Sequence, residues 1–277
     1  MTIDAHAHVW DTTELRYPWL DDAPHLPRTF LPRDLQRDGA VPYVFVEADC
    51  ASGHAEARWV AGLGADGPAA IVAFARIESA RVAAELDALA GVPGVTGIRR
   101  LWQDQPADML RSPATARGLR LLPERGLVFD VCVRWEQLEV VADVVRAHPD
   151  VHFVIDHLGK PPVARPELLA SWRRSLAACA RENVSVKLSG LPAEDGAAVD
   201  GECRVDLAPW LRAAFELFGA DRAMVGSDWP VSADRGFGRP AWFAAVRAAL
   251  GLGADEWHRV SHANAARVYR VGASSAD

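Results

Sequence analysis

At 277 residues, with half of them hydrophobic and 24% charged, the chain is long enough for one large core or two small ones. Its formal net charge of -7 disfavours nucleic acid as a partner, because a phosphate-binding surface needs clustered Lys and Arg. No secretory leader pattern and no run of about 18 apolar residues is present, and Cys50, Cys132, Cys179 and Cys203 form no CxxC pair, so a cytoplasmic, membrane-free protein with reduced thiols is expected.

The first predicted element is a strand over Ile3–Val9, carrying Asp4-Ala-His6-Ala-His8-Val-Trp10. Side chains alternate faces along a strand, so His6 and His8 project to the same side at its C-terminal end. Two adjacent imidazoles suit a metal ion or an electrophilic carbonyl; two surface histidines are the plain alternative. The next stretch, Trp10–Val41, is rich in proline and aspartate and holds Tyr17 and Trp19. It is too long for a simple connection and reads as a lid loop.

Apolar runs rich in Val, Ile and Phe then recur at Tyr43–Ala48, Ala70–Ala75, Val95–Leu101, Leu127–Val133, His152–His157, Val184–Leu188 and Ala223–Ser227. Near-continuous hydrophobicity is what parallel strands covered on both faces require. Between them lie stripes of helical period: Val82, Leu86, Leu89; Leu138, Val141, Val145, His148; Leu168, Leu169, Trp172, Leu176; and Leu207, Leu211, Phe215, Phe218. Stop signals stand at Gly91, Gly126, His148 before Pro149, and Gly219. Alternating strand and helix means parallel βαβ units, and eight strands fit a single-domain (β/α)8 TIM barrel over residues 1–277. A doubly wound sheet is the runner-up, without a Gly-rich phosphate loop after the first strand to support it. Unusual loops follow the seventh strand (Leu191–Val205) and the eighth (Trp229–Arg239).

In such a barrel, chemistry sits at the C-terminal ends of the strands. Those ends carry His6 and His8; Glu47 and Asp49; Arg76; Arg99 and Arg100; Arg134; Asp156 and His157; Lys187 and Ser189; and Ser227-Asp228-Trp229-Pro230. Ionisable groups there are costly to desolvate unless paired or used, and their recurrence on nearly every strand argues for a shared cup. Asp228 is the candidate general base, with a helix cap as its alternative role. His6, His8 and His157 are candidates for stabilising an oxyanion. Glu47, Arg99, Arg100, Arg134 and Lys187 are candidates for substrate binding, against the alternative of salt-bridge struts. Trp10, Trp102 and Trp229 stack on a sugar ring or roof the barrel.

Asp4-Ala-His6-Ala-His8 together with Gly226-Ser227-Asp228-Trp229-Pro230 resembles the amidohydrolase superfamily. Phe153-Val-Ile-Asp-His157-Leu-Gly-Lys160-Pro161, Val186-Lys187-Leu-Ser189-Gly190, Asn264-Ala-Ala-Arg267-Val-Tyr269 and Tyr17-Pro-Trp19 narrow the resemblance. They point to the amidohydrolase-related branch containing sugar-acid lactonases (L-fuconolactonase, L-rhamnonolactonase) and 2-pyrone-4,6-dicarboxylate lactonase. The resemblance covers the whole chain and implies a hydrolase opening a small lactone. Binuclear members use a strand-4 lysine or glutamate and histidines on strands 5 and 6; here strand 4 reads Gly97-Ile-Arg99-Arg100-Leu101 and strand 5 ends in Arg134-Trp135, with His157 alone in its place. The expectation is therefore at most one divalent ion such as zinc on His6, His8 and Asp228, with Glu47 as a further ligand, or no cofactor at all. A metal-dependent amidohydrolase or decarboxylase, and a catalytically silent sugar-binding barrel, are the alternatives. The partner is a small molecule, and a homo-oligomer is left open.

Overall fold

The computed structural model describes residues 1–194, 197–199 and 202–272. Eight strands pair in chain order: β1 (Asp4–Ala7), β2 (Tyr43–Val46), β3 (Ala70–Phe74), β4 (Val95–Leu101), β5 (Val128–Cys132), β6 (Phe153–Ile155), β7 (Val184–Leu188) and β8 (Ala223–Val225). Every pairing is parallel, which demands a crossover between neighbours. Helices α1 (Gly53–Ala61), α2 (Val82–Ala90), α3 (Pro113–Leu119), α4 (Leu138–Ala147), α5 (Leu169–Cys179) and α6 (Ala208–Phe218) supply them, and α7 (Arg239–Leu250) follows β8. The chain is a (β/α)8 TIM barrel. The expected stops hold: α2, α4 and α6 end just before Gly91, His148 and Gly219, and Gly126 leaves the turn after α3 with a φ of 62°.

The sheet closes almost completely between β8 and β1. The Asp228 amide donates to the His6 carbonyl at 2.8 Å, and the His8 amide to the Trp229 carbonyl at 2.8 Å. Asp4 adds a clamp, accepting from the Ser227 amide at 2.8 Å and from its hydroxyl. Thus the Asp4 and Ser227 ends of the two motifs serve closure.

Apolar side chains fill two zones. The larger lies between strands and helices, with Phe45, Ile98, Phe129, Phe153 and Leu188 facing Val60, Leu86, Leu119, Val141, Leu176 and Leu211. The smaller lies inside the barrel, where Ile3, Ala5, Val44, Val72, Val154 and Met224 pack against Ala265, Val268 and Tyr269 from the C-terminal helix Asn264–Val268 and its end. This helix plugs the bottom of the barrel.

A bulge in β1 decides where the histidines point. Asp4 opposes Tyr43 and Ala7 opposes Phe45, so β1 uses one more residue than β2 over the same span. Ile3 and Ala5 therefore face inward below the bulge, while His6 and His8 face inward above it. Without that extra residue, strict alternation from Ile3 would turn both imidazoles outward.

The first connection differs from the rest. Residues 10–41 form a small ribbon, Trp10–Asp11 against Thr29–Phe30, and one helical turn, Pro32–Leu35. Trp10, Tyr17, Leu20, Leu26, Ala48 and Cys50 make a separate apolar cluster there, so the segment is packed onto the C-terminal end of the barrel. Among the described residues, no helix is long and apolar enough to cross a membrane.

Candidate active site

Above the apolar plug the barrel interior turns ionic. Lys187 places Nζ 2.5 Å from Asp130 Oδ2, 3.0 Å from Asp156 Oδ1 and 3.1 Å from His6 Nδ1. Arg99 donates from Nε to Glu47 Oε1 at 2.7 Å and sets Nη1 3.3 Å from Asp156 Oδ2. Tyr269 donates its hydroxyl to Asp130 at 3.0 Å, tying the layer to the plug beneath it. All of these side chains are buried, and each charge has a partner, as burial requires.

On this layer stand three imidazoles and a carboxylate. His6 Nε2 lies 3.2 Å from His8 Nε2. Asp228 Oδ1 is 3.7 Å from His6 Nε2, 3.6 Å from His8 Nε2 and 3.8 Å from His157 Nε2. Two residues of this group hold left-handed backbone, Asp228 with φ 55° and His157 with φ 51°. Strain of this kind persists where surrounding structure over-determines it, and it gathers at functional sites. Gly190 makes room for one ring: a Cβ there would stand 2.3 Å from His157 Nδ1. Gly226 does the same for His6, whose own Cβ would be 2.7 Å away.

The proton positions follow from the partners. His8 Nδ1 is 2.7 Å from the Val46 carbonyl oxygen, which can only accept. The His8 proton therefore resides on Nδ1, and Nε2 presents a bare lone pair to the cluster. His8 is thus no oxyanion donor in its neutral form. His6 is held well below the ordinary imidazole range, by burial first and by the Lys187 ammonium second. Burial likewise lowers His157 to about 4, against the pull of Asp228 and Asp156, and its Nδ1 sits 2.9 Å from Ser189 Oγ. Burial alone would raise the Asp228 carboxyl. The facing His157, His8 and His6 outweigh it and keep the group below the usual carboxylate range. Near neutral pH the cluster holds the Asp228 carboxylate beside neutral His6 and His157.

That donor set fits one divalent ion. Bonds of 2.0–2.1 Å in a tetrahedron put ligand atoms about 3.3 Å apart. The three separations among His6 Nε2, His8 Nε2 and Asp228 Oδ1 are 3.2, 3.7 and 3.6 Å. With His8 Nδ1 bound to Val46 and His6 Nδ1 facing Asp156 at 3.3 Å, both outer nitrogens have the partners that orient metal-binding imidazoles. Three protein ligands leave the fourth position open, the pattern of a catalytic rather than a structural site. Glu47 does not join this set: Oε1 is taken by Arg99, and Oε2 accepts from the Asp49 amide at 2.8 Å.

A cavity of about 480 Å³ opens over the cluster. Its lining includes His8, His157 and Asp228, with Trp10, Trp19, Asp49, Arg99, Gln103, Arg134 and Lys160. Of the residues singled out from sequence, His6 lies just beneath its floor. Arg134 is at the rim, paired with Asp104 at 3.3 Å. Lys187 lies below the floor in the ionic layer and cannot touch a ligand. Arg100 points the other way, outside the barrel, bonded to Glu78 at 3.1 Å and lying over the Phe74 ring. Alternation along β4 allows only one of two adjacent arginines inside, and that one is Arg99. Trp229 packs edge-to-face on Phe30, and Trp102 packs on Phe129; neither lines the cavity. Arg76 borders a separate surface hollow beside α1 and α2.

Several contributors carry no role in the sequence reading. Asp130 is the partner of Lys187, and its sequence signal is a carboxylate amid the apolar run Leu127–Val133. Trp19 donates its indole N–H to the Ala48 carbonyl at 2.7 Å and so faces the cavity. Lys160 stands in the Phe153–Pro161 motif without a role assigned to it, and Gln103 had no signal beyond position.

Comparison with known proteins gives the family and the fold. A family model described as amidohydrolase matches residues 3–271. An L-fucono-1,5-lactonase of Burkholderia ambifaria is 32% identical over 288 residues, covering 99% of this chain and 97% of the relative. A second L-fucono-1,5-lactonase, from Burkholderia multivorans, is 30% identical over 83% of this chain and 82% of its own length. A crystal structure of an amidohydrolase from Burkholderia multivorans with bound zinc superposes with a TM-score of 0.83 at 28% identity, covering 98% of this chain and 99% of that one.

Proposed function

Because this chain belongs to the amidohydrolase family and is a hydrolase, we propose that it opens a small lactone, most naturally a sugar-acid lactone. The observation that carries this reading is the Asp228 carboxylate set among the His6, His8 and His157 imidazoles at the floor of a cavity lined by tryptophan and polar groups. The two relatives named as L-fucono-1,5-lactonases support the sugar-acid class.

A lactone is a cyclic ester, so water must attack the carbonyl carbon and the ring oxygen must leave. Asp228 sits at the cavity floor, ionised, and takes the proton of the attacking water. The carbonyl π pair moves onto its oxygen as the new C–O bond forms. When the tetrahedral intermediate collapses, the ring C–O bond breaks and Asp228 returns the proton to the leaving oxygen. Products are a hydroxyl group and a carboxylic acid, which ionises and releases one proton to solvent, with no net change in the enzyme. Trp19, backed by the buried Trp10, offers an apolar face against which the carbon face of a sugar ring stacks, while Gln103 and Asp49 offer polar groups to its hydroxyls. His6, His8 and Asp228 are the residues that would hold a divalent ion, which when bound would polarise the carbonyl as a Lewis acid. The packed 10–41 segment is the natural lid over this cavity.

A panel of five- and six-membered aldonolactones in weak buffer with a pH indicator tests the reading, since each turnover releases acid. Acid release on sugar lactones is expected. No response to any lactone, with turnover of an amide or loss of carbon dioxide from a carboxylate substrate instead, would overturn it.

A further inference from the structure

Residues 157–160 leave β6 in an unusual way. Their φ values are 51°, 56°, 70° and 50° for His157, Leu158, Gly159 and Lys160, a full left-handed turn. Left-handed backbone costs about 1–2 kcal/mol for each residue bearing a Cβ, and three of these four bear one. The turn is held by Trp172, whose indole N–H donates to the Leu158 carbonyl at 3.0 Å, and by the Lys160 amide on the His157 carbonyl at 2.8 Å. With about three residues per turn, positions i and i+3 stand on the same side. The strained turn therefore presents His157 and Lys160 together, and both line the same cavity.

Lys160 also differs from the other cations there. Arg99 is committed to Glu47 and Asp156, and Arg134 to Asp104. Among the described residues, the Lys160 ammonium forms no ion pair within 4 Å. Burial disfavours its charge, yet the fields of Cys132, Glu194 and Asp228 outweigh this and raise its pKa, so it stays protonated. Donors for a developing oxyanion are meanwhile scarce. His8 turns its Nδ1 to the Val46 carbonyl, His6 lies wholly beneath the floor, and His157 offers a single ring N–H between Ser189 Oγ, 2.9 Å from Nδ1, and Asp228, 3.8 Å from Nε2.

We propose that Lys160 is a catalytic residue, donating from Nζ to the substrate carbonyl oxygen as that oxygen takes up negative charge. This rests on the lactone-opening reading of the same cavity. As water adds to the carbonyl carbon and Asp228 takes its proton, the π pair collects on the carbonyl oxygen. Lys160 binds that oxygen by charge and hydrogen bond and keeps its own proton throughout. Collapse returns the pair to the C=O bond and releases the contact. The strained turn places this cation in the cavity that holds the base at no cost during turnover, because the strain is already present in the folded enzyme.

The test compares wild type with K160M and K160R on the best lactone of the panel. K160M keeps the length of the stem and removes the charge; kcat is expected to fall about 10²–10³-fold, the usual loss of one oxyanion donor. KM should stay within about threefold, since the contact forms in the transition state. K160R, which restores a cation and guards against a packing artefact, should recover part of the lost kcat, with thermal midpoints of all three proteins alike. A K160M kcat within threefold of wild type overturns the assignment, as does a loss confined to KM or a K160R no better than K160M. Wild-type protein inert on every lactone overturns the underlying reading instead, and the assignment falls with it.

Discussion

Replacing Asp228 by Asn separates chemistry from folding more cleanly than any other change at the floor. The residue adopts φ 55°, a region that Asn tolerates nearly as well as Asp. Its main-chain bonds do not involve the carboxylate: the amide donates to the His6 carbonyl at 2.8 Å, and its carbonyl accepts from the Ser232 amide at 3.1 Å. The Ser232 hydroxyl, 3.2 Å from Oδ2, can donate equally to an amide oxygen. The fold should therefore lose less than about 1 kcal/mol, a midpoint shift of no more than about 4 °C for a chain of this size. The chemistry should suffer far more. A positioned base is worth about 10²–10⁴ in rate, so D228N is expected to lower kcat about 10³-fold. Initial rates of acid release over a range of lactone concentrations, with a thermal melt of the same preparation, measure both quantities. An unshifted melt with more than a tenth of wild-type kcat would refute Asp228 as the base. A collapsed melt would refute the claim that its main-chain bonds carry the turn.

Other changes probe the supporting structure. G190A should cost at least tenfold in kcat and roughly 1–3 kcal/mol in stability, because the new Cβ would lie 2.3 Å from His157 Nδ1 at a φ of 71°; denaturant melts and lactone assays read both. R100A should leave kcat/KM within about twofold and cost about 0.5–1 kcal/mol, since Arg100 bonds Glu78 outside the barrel. Stability should also depend on pH through His152, which burial and then Arg267 lower to about 4. The unfolded chain takes a proton near pH 6.5 while the folded one refuses it, so stability is full above that pH and is lost as pH falls toward 4, by at most about 3 kcal/mol; H152Q should flatten that slope in chemical denaturation at pH 4.5 against pH 7.

The barrel was legible because strands covered on both faces must be apolar along their length, and nothing else in 277 residues repeats at that spacing. His6 and His8 on one side followed from alternation. Their facing inward did not, because the bulge against β2 has no local marker. Depth along a strand was equally hidden. Lys187 and Arg134 both end strands, yet one lies sealed beneath the floor and the other half-exposed at the rim. Lys160 stood in a quoted motif, but its place in the cavity was hidden for a different reason. Intrinsic preference argues against His, Leu and Lys in left-handed backbone, so the turn is imposed by packing around Leu158 and Trp172 rather than by local propensity.

Charge balance links the ionic layer to the chemistry above it. Glu47, Asp130 and Asp156 face only Arg99 and Lys187, so the layer alone carries excess negative charge if all its members are ionised. Burial, the largest influence on Asp130, pushes its carboxyl up to about 6 despite the Lys187 ammonium, which places that excess close to titration. Asp228 adds a further negative charge beside His6 and His157, which are neutral near pH 7. A floor with these properties attracts a cation from above. From below it is already served, since Lys187 and Arg99 stand between the carboxylates of Glu47, Asp130 and Asp156. The same two side chains that look like substrate ligands in the sequence thus set the valence of the floor. They favour at most a single divalent ion, beside an Asp228 carboxylate that is ionised in the resting site.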